Sequence, residues 1–470
     1  MSFISFVFFI FLAIVYALWR LLPYAAAKRM LCVASFIFYA YWFPPFLAIF
    51  LTSGVVDYFV SIKMPGSRRP GLLLGLSIAV NLGLLGLFKY ADFFLTAWHQ
   101  ALAALGIAGD LHLLHLILPI GISFYTFQSL SYTIDVYRGR LKPCDNPVDF
   151  FLFFSFFPHL VAGPILRAAD FLPQVGTDAD AGGRRALSDE DFRFAVYRLS
   201  RGYFLKVLVA DNAAIAANAA FRHDPSLLSA PAAWLGVLFF AVQIFGDFAG
   251  YSDIALGAAR LFGYRIRENF WNPYCAFGIE DFWRRWHISL SSWFRDYLYI
   301  PLGGNRVSPL RTKINLMIVF IVSGFWHGAA WTFLIWGGLH GIAVTGEKML
   351  RRLRPAGRPA LDRFVLALSA PLTFAVVLVL WVPFRAPSVD YMWRYWQAMI
   401  PFAAHAGPFQ FHAVQFACLV LFAGYFAVQV AREHWGGRWV ERITQGEALA
   451  YFSLTLLMPG PPADFIYFQF

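Results

Sequence analysis

Apolar runs long enough to cross a lipid bilayer recur along the whole chain, and no other feature limits its fold so tightly. At a rise of 1.5 Å per residue, about 20 mostly apolar residues span a hydrocarbon core of about 30 Å. Runs approaching that length are Phe3–Leu18, Leu31–Trp42, Phe46–Ile62, Gly71–Phe88, Leu113–Ile134, Phe150–Ile165, Trp234–Leu256, Ile314–Trp336, Phe364–Val382, Ala413–Val430 and Ala448–Met458. Several are short or broken by Pro and Gly, a pattern of re-entrant or half-length helices whose irregular backbone survives only inside protein or beside a water-filled cavity. The expectation is one helical membrane domain over residues 1–470, with no separate soluble domain.

Composition closes the other routes. Hydrophobic residues make up 59% of the chain and charged residues 14%, against about 45–50% apolar in soluble domains, which excludes disordered, fibrous and ordinary cytosolic classes. The 52 Phe, 21 Tyr and 16 Trp fit aromatic anchoring at the lipid boundary. The net charge of +11 is no nucleic-acid footprint. Its cations sit in short loops such as Lys63-Met-Pro-Gly-Ser-Arg68-Arg69 and Lys348-Met-Leu-Arg351-Arg352, as cytoplasmic loops of a polytopic protein do. Cys32, Cys144, Cys275 and Cys418 share no metal-ligand spacing, so neither a zinc site nor a disulfide framework is expected. The start Met1-Ser-Phe-Ile-Ser-Phe-Val lacks the basic opening of a secretory signal, and the first run reads as a retained span.

Two stretches read as helices lying on the membrane. After the polar interval Arg167–Asp191, Ser188 and Asp191 form a helix-capping pair. Phe192, Val196, Leu199 and Tyr203 then share one face away from Arg193, Arg198 and Arg201, which predicts an interfacial helix on the basic side. In Phe282–Pro301, Trp283, Trp286, Leu290, Trp293, Phe294 and Tyr297 gather in one arc opposite Arg284, Arg285, Ser292, Arg295 and Asp296. His287 falls at about 40° on that wheel, inside the apolar arc. Arg265 and Arg267 before this stretch, and Arg306, Arg311 and Lys313 after it, place both its ends on the cytoplasmic side.

Chemistry is concentrated in the histidines. His327, in Ser323-Gly-Phe-Trp-His327-Gly-Ala-Ala-Trp331, lies about 21 Å along a helix counted from Lys313. Ionisable groups at that depth face a cavity, a partner or a substrate path, although a histidine that merely packs against a neighbouring helix is the competing reading. Gly328, Ala329 and Ala330 beside His327 leave room for a ligand and equally suit close helix packing, and Gly324, Gly328 and Ala329 are expected to form the narrow section of a passage joining the two faces. His287 and His327 suit a re-entrant helix followed by a span that returns past it, so that two imidazoles share one cavity and can accept and return a proton. His340 lies about 220° around the same helix if that helix continues, which takes it away from the site. Asp57, Asp135, Asp247 and Asp253 are intramembrane acids whose expected role is structural pairing. No Walker loop, Ser-His-Asp order or HExxH pattern is present.

The ordered motifs Leu118-Pro-Ile-Gly-Ile-Ser-Phe-Tyr-Thr-Phe-Gln128, Asp135-Val-Tyr-Arg-Gly139, Phe157-Pro-His-Leu-Val-Ala-Gly-Pro-Ile165, Gln243-Ile-Phe-Gly-Asp-Phe-Ala-Gly-Tyr-Ser-Asp253, Asn269-Phe-Trp-Asn-Pro273, Phe282-Trp-Arg-Arg-Trp-His287-Ile-Ser-Leu290, Asp296-Tyr-Leu-Tyr-Ile-Pro-Leu-Gly-Gly-Asn305, Gly324-Phe-Trp-His-Gly328 and Tyr467-Phe-Gln-Phe470 resemble the membrane-bound O-acyltransferase (MBOAT) family, in its alginate O-acetyltransferase branch. The resemblance implies an all-α polytopic bundle of about 11 membrane and re-entrant helices around a tunnel, close to the number of apolar runs above. It implies His327 as the catalytic histidine and His287 as the second polar position. It also implies acetyl-CoA as donor, periplasmic acetyltransferase partner proteins, an exopolysaccharide as final acceptor and a bacterial inner-membrane location. No metal, bound cofactor or nucleic acid is expected. In this scheme His327 is the general base while His287 orients a reactant or polarises the acyl carbonyl. Arg284, Arg285 and Arg295 attract an anionic donor at the cytoplasmic mouth, with lipid-headgroup contact as the competing reading. D-alanyl or other acyl transfer to an envelope polymer is the alternative acyl chemistry. A transporter is the alternative class, because broken helices also build transport sites.

Overall fold

The computed structural model of the chain describes residues 1–470 apart from 108, 162, 177–186, 354–358, 401–412, 435–437, 464 and 467–470. The Tyr467–Phe470 motif and the middle of the polar interval lie outside the described residues. Those described are all-helical, without strands. In chain order the helices are α1 (Phe6–Leu21), α2 (Tyr24–Ala40), α3 (Pro45–Lys63), α4 (Pro70–Ala104), α5 (Ile122–Tyr137), α6 (Pro147–Ser155), α7 (Phe157–Leu160), α8 (Ala168–Gly176) and α9 (Asp189–Arg222). They continue as α10 (Ala230–Leu261), α11 (Ile279–Arg285), α12 (Ile288–Phe294), α13 (Pro309–His327), α14 (Trp331–Leu353), α15 (Pro359–Arg385), α16 (Val389–Ala398), α17 (Ala413–His434) and α18 (Arg438–Leu457). Among the described residues, six segments are long and apolar enough to cross a membrane: α3, α4, α9, α10, Leu368–Arg385 of α15 and Ala413–Arg432 of α17. The chain is a multi-pass membrane protein.

Two compact units are present, Met1–Val196 with Ile254–Arg267, and Tyr197–Asp253 with Glu268–Phe470. In the first, Phe3, Phe8, Phe38 and Phe157 pack ring on ring. Its polar groups are satisfied locally, because hydrocarbon offers no partners. Asp57 accepts from Ser77 Oγ at 2.6 Å and from Asn81 Nδ2, and Lys28 meets Asp149 at 2.6 Å. The capping pair is present: Ser188 Oγ accepts from the Asp191 N–H and donates to the Asp191 carboxylate.

In the second unit Asp253 is held by Arg198 and Arg201. Lys206 lies between Asp211 and Asp247, 2.7 Å from each. Asp247 also accepts from the Ile466 backbone N–H at 2.6 Å. The acids thus take the structural roles expected of them, with Asp57 served by Ser and Asn side chains instead of Arg. The remaining one, Asp135, stands 4.0 Å from Arg140.

Three local readings are corrected. The Phe192–Tyr203 helix does not end at the interface: it continues through a π-helical turn as α9 to Arg222. Its length and composition suffice to cross a membrane, and Lys206 and Asp211, the charged groups that follow Tyr203, pair with each other. The run Ile314–Trp336 is a hairpin instead of one span, because Gly328 is extended (φ −161°, ψ 150°) and ends α13. The stretch Phe282–Pro301 breaks at Trp286–His287 into α11 and α12.

Ser308 caps α13 by accepting from the Arg311 N–H, with Pro309 at the first helical position. Glycines then bring α13 and α14 into backbone contact. A Cβ on Gly324 would stand 2.2 Å from the Phe333 carbonyl oxygen, and one on Gly337 2.2 Å from that of Phe320. One on Gly328 would meet the Phe333 ring at 2.0 Å. Gly324 and Gly328 therefore serve close helix packing, one of the uses open to them in the sequence. Gly338, one residue on from Gly337, has nothing within 4 Å of a would-be Cβ. Gly324→Ala should cost about 1–3 kcal/mol by overpacking, whereas Gly338→Ala should be neutral or gain about 0.4–1 kcal/mol. Thermal unfolding of the two variants in the same detergent checks this; equal melting temperatures would contradict the backbone contact.

Candidate functional site

The site grows from the break between α11 and α12. The segment Asn269–Trp271 pairs with that break at two points: the Trp271 N–H donates to the Arg285 carbonyl at 2.9 Å, and the Ile288 N–H donates to the Asn269 carbonyl at 2.9 Å. His287 occupies the junction in a left-handed conformation, φ 44° and ψ 54°. Non-glycine residues adopt that conformation only where their surroundings impose it. The imidazole is fully buried, with the Phe248 ring 4.6 Å away and nearly perpendicular. Burial pushes its pKa down to about 3, so the ring is neutral. Its Nδ1 stands 3.2 Å from Asn269 Oδ1.

His327 closes α13 as its last residue and is also buried. Its ring centroid lies 4.9 Å from Trp326, 5.1 Å from Trp336 and 5.3 Å from Phe384. Trp326 is in turn 6.2 Å from the His287 ring. The rings of His287 and His327 thus pack on the same indole, Trp326, in the second unit, and neither is among the residues lining the cavity described below.

His340 is the correction here. The helix that would have carried it away from His327 ends at His327, and α14 runs back, so that Trp336 alone separates the two imidazoles. The His340 ring is 4.9 Å from Trp336, and its Nδ1 accepts from the Trp283 indole N–H at 3.2 Å. Residues 287, 326, 327, 336, 340 and 283 thus form a continuous series of rings.

Beside this series a cavity of about 220 Å³ opens between the broken helix pair and the α13–α14 hairpin. Trp283, Phe320 and Ser323 line its walls, and Arg284, Arg295 and Lys348 bring cations to it. Arg284 also bonds Glu280 at 2.9 Å and Arg295 bonds Asp296 at 2.8 Å. Arg285, the third arginine picked from the sequence, is absent from the lining and bonds Asp281 at 3.0 Å. Sequence reasoning missed Asn269, Trp336 and His340 as parts of the site. The signal for Asn269 was present in the Asn-Phe-Trp-Asn-Pro motif, a polar residue set among aromatics.

Comparison with known proteins finds a family model and relatives over much of the chain. A family model described as MBOAT, membrane-bound O-acyltransferase family, matches residues 145–382. The chain is 39% identical over 434 residues to a protein of Azotobacter vinelandii named "Probable alginate O-acetylase AlgI", covering 90% of this chain and 84% of that one. It is 40% identical to a protein of the same name from Pseudomonas aeruginosa over 84% of this chain and 74% of that one. A peptidoglycan O-acetyltransferase of Helicobacter pylori is 39% identical over 77% of this chain and 72% of its own length.

The packing of Trp336 yields a separable expectation. Its indole is fully buried between His327 and His340, and its N–H has no hydrogen-bond partner among the described residues. Trp336→Phe keeps most of the ring contacts and removes a donor whose isolation costs about 1–3 kcal/mol, so the melting temperature should stay level or rise. Trp336→Ala should lose about 3–5 kcal/mol. A marked fall for Trp336→Phe would show that the N–H is used in the folded protein.

Proposed function

The chain belongs to the membrane-bound O-acyltransferase family, and from that premise we propose that it carries acetyl groups from cytoplasmic acetyl-CoA across the bacterial inner membrane toward an exported, alginate-like polysaccharide. Family membership makes it an acyltransferase, and the transporter reading, which rested on broken helices alone, gives way. Residues 1–470 act as one catalytic domain. The observation that carries the proposal is the meeting of two buried histidines at two helix ends, His287 and His327, on either side of Trp326.

The chemistry follows from those groups. His327 takes the proton of an acceptor hydroxyl as its oxygen bonds to the acyl carbonyl carbon. The carbon–sulfur bond to the donor then breaks and the proton returns to the leaving thiolate. His287 holds a reactant in place. The donor keeps its phosphates at the basic cavity mouth, where Arg284 and Arg295 address them, because charged groups enter hydrocarbon only at great cost. It inserts the thioester alone. The acceptor hydroxyl arrives from the opposite face, on a periplasmic acetyltransferase partner or on the polymer. The names of the relatives support acetyl as the acyl group and an envelope polysaccharide as its destination.

The deciding experiment is transfer of radiolabelled acetyl from acetyl-CoA by the purified protein with its partner proteins. His327→Ala should lower transfer by about 10²–10⁴-fold with folded yield intact, and His287→Ala should be severely impaired but less so. Near-normal transfer by His327→Ala would sink its role as base. Arg284→Ala and Arg295→Ala should each raise the donor KM by roughly 2- to 5-fold, more than Arg285→Ala does. Equal effects of all three would remove the cavity from the donor path.

Topology is tested separately. Single cysteines near Arg267 and Arg306, in a cysteine-free background, should both react from the cytoplasmic side. Labelling of one from each side would mean that the segment bearing His287 crosses the membrane.

A further inference from the structure

Four polar groups converge beside His287. Asn269 Oδ1 lies 3.2 Å from the Ser289 backbone N, 2.9 Å from Ser289 Oγ and 3.2 Å from His287 Nδ1, and Asn269 Nδ2 lies 3.2 Å from Ser252 Oγ. All of these residues are buried. The amide orientation is fixed by chemistry, because a backbone N–H is only ever a donor. The Asn269 atom facing Ser289 N must therefore be the oxygen, and a flipped amide would set N–H against N–H. That same oxygen faces His287 Nδ1. Were Nδ1 bare, two lone pairs would oppose each other inside the protein, where an unmatched polar group is expensive.

We propose that Asn269 is a positioning residue that fixes the proton of His287 on Nδ1, so that Nε2 presents a lone pair and holds a reactant by accepting a hydrogen bond from it, through a proton other than the one His327 removes. This rests on the acyl-transfer reading above and decides between the two roles that the sequence leaves open for His287. A neutral imidazole protonated at Nδ1 has no proton at Nε2 to give to an acyl carbonyl, so it orients a reactant as a hydrogen-bond acceptor and does not polarise the carbonyl. The adjoining imidazole of His340 has the opposite assignment. Its Nδ1 accepts from Trp283 Nε1–H, so any proton it carries when neutral is on Nε2. The two tautomers in one series of rings are set by two different partners, an amide oxygen and an indole N–H.

The test reads the tautomer itself. The full-length protein is labelled with ¹⁵N-histidine and reconstituted in lipid nanodiscs, and its solid-state spectrum is compared with that of His287→Gln, whose missing signals identify His287. The wild type should show His287 protonated at Nδ1 and bare at Nε2. Asn269→Leu should populate the Nε2–H form while the other histidine signals stay in place, and acetyl transfer should fall by about 10-fold or more, as when a histidine loses the group that sets its tautomer. Asn269→Asp keeps an oxygen facing Nδ1. It should retain the Nδ1–H form and more transfer than Asn269→Leu, which separates tautomer control from mere structural support even if Asn269→Leu fails to fold.

An Nε2–H signal for His287 in the wild type or in Asn269→Asp overturns the proposal, as does an unchanged tautomer in folded Asn269→Leu. Full acetyl transfer by His287→Ala would instead strike the catalytic reading, while the spectra still decide the tautomer.

Discussion

Hydrocarbon offers no hydrogen-bond partner, and most of this structure follows from that constraint. A charged or amide side chain on a membrane helix must find its complement within the protein or cost several kcal/mol. Lys206 meets two carboxylates, Asp211 and Asp247, and the second of these also binds the Ile466 N–H. Lys206 Nζ further donates to the Ala463 carbonyl at 2.9 Å. The segment near the end of the chain is therefore tied to the interior of its unit by charge-assisted bonds as well as by the Phe465 ring, 4.6 Å from Tyr251. Asp253 with Arg198 and Arg201 repeats the principle, and Asp57 with Ser77 and Asn81 shows that neutral donors can serve.

The same constraint explains why the site sits where helices stop. A continuous helix spends its backbone polar groups on itself, whereas a terminus releases groups that must be met by something nearby. α11 and α12 break at His287, and Asn269–Trp271 supplies the answering donors and acceptors. α13 ends at His327 beside Gly328, whose missing side chain lets the Phe333 ring close in. Both imidazoles are thus placed by interruptions of regular structure, with Trp326 between them.

How far this was legible in the sequence depended on the range of the interaction. Apolar runs and the Ser188–Asp191 cap are local and were readable. A re-entrant stretch followed by a returning span is also a local pattern, and it accounts for His287 and His327 lying on either side of Trp326. The break at Trp286–His287 was not visible, since wheel arithmetic assumes the continuity that the break destroys; the same assumption misplaced His340. From sequence alone the start of α9 reads as interfacial, because Asp247 of α10, one of the two carboxylates that meet Lys206, is distant in the chain. Asn269 escaped for a similar reason, as its function lies in contacts with three residues 17 to 20 positions away.

The strain at His287 then has a physical account. A left-handed non-glycine residue costs on the order of 1–3 kcal/mol and persists only where its neighbours over-determine it. Here they do: the Trp271–Arg285 and Ile288–Asn269 backbone bonds fix the chain on both sides of the junction, and the Asn269 amide grips both the ring and the Ser289 N–H that follows. A glycine would suit that backbone at no cost but would carry no imidazole. A histidine in mid-helix would carry one, but with its direction set by the helix wheel and its backbone groups already committed to the helix. Placing the histidine at a forced break frees the ring from the wheel, turns it among Phe248, Phe270 and Trp326, and lets one buried amide determine both where it sits and which nitrogen it presents.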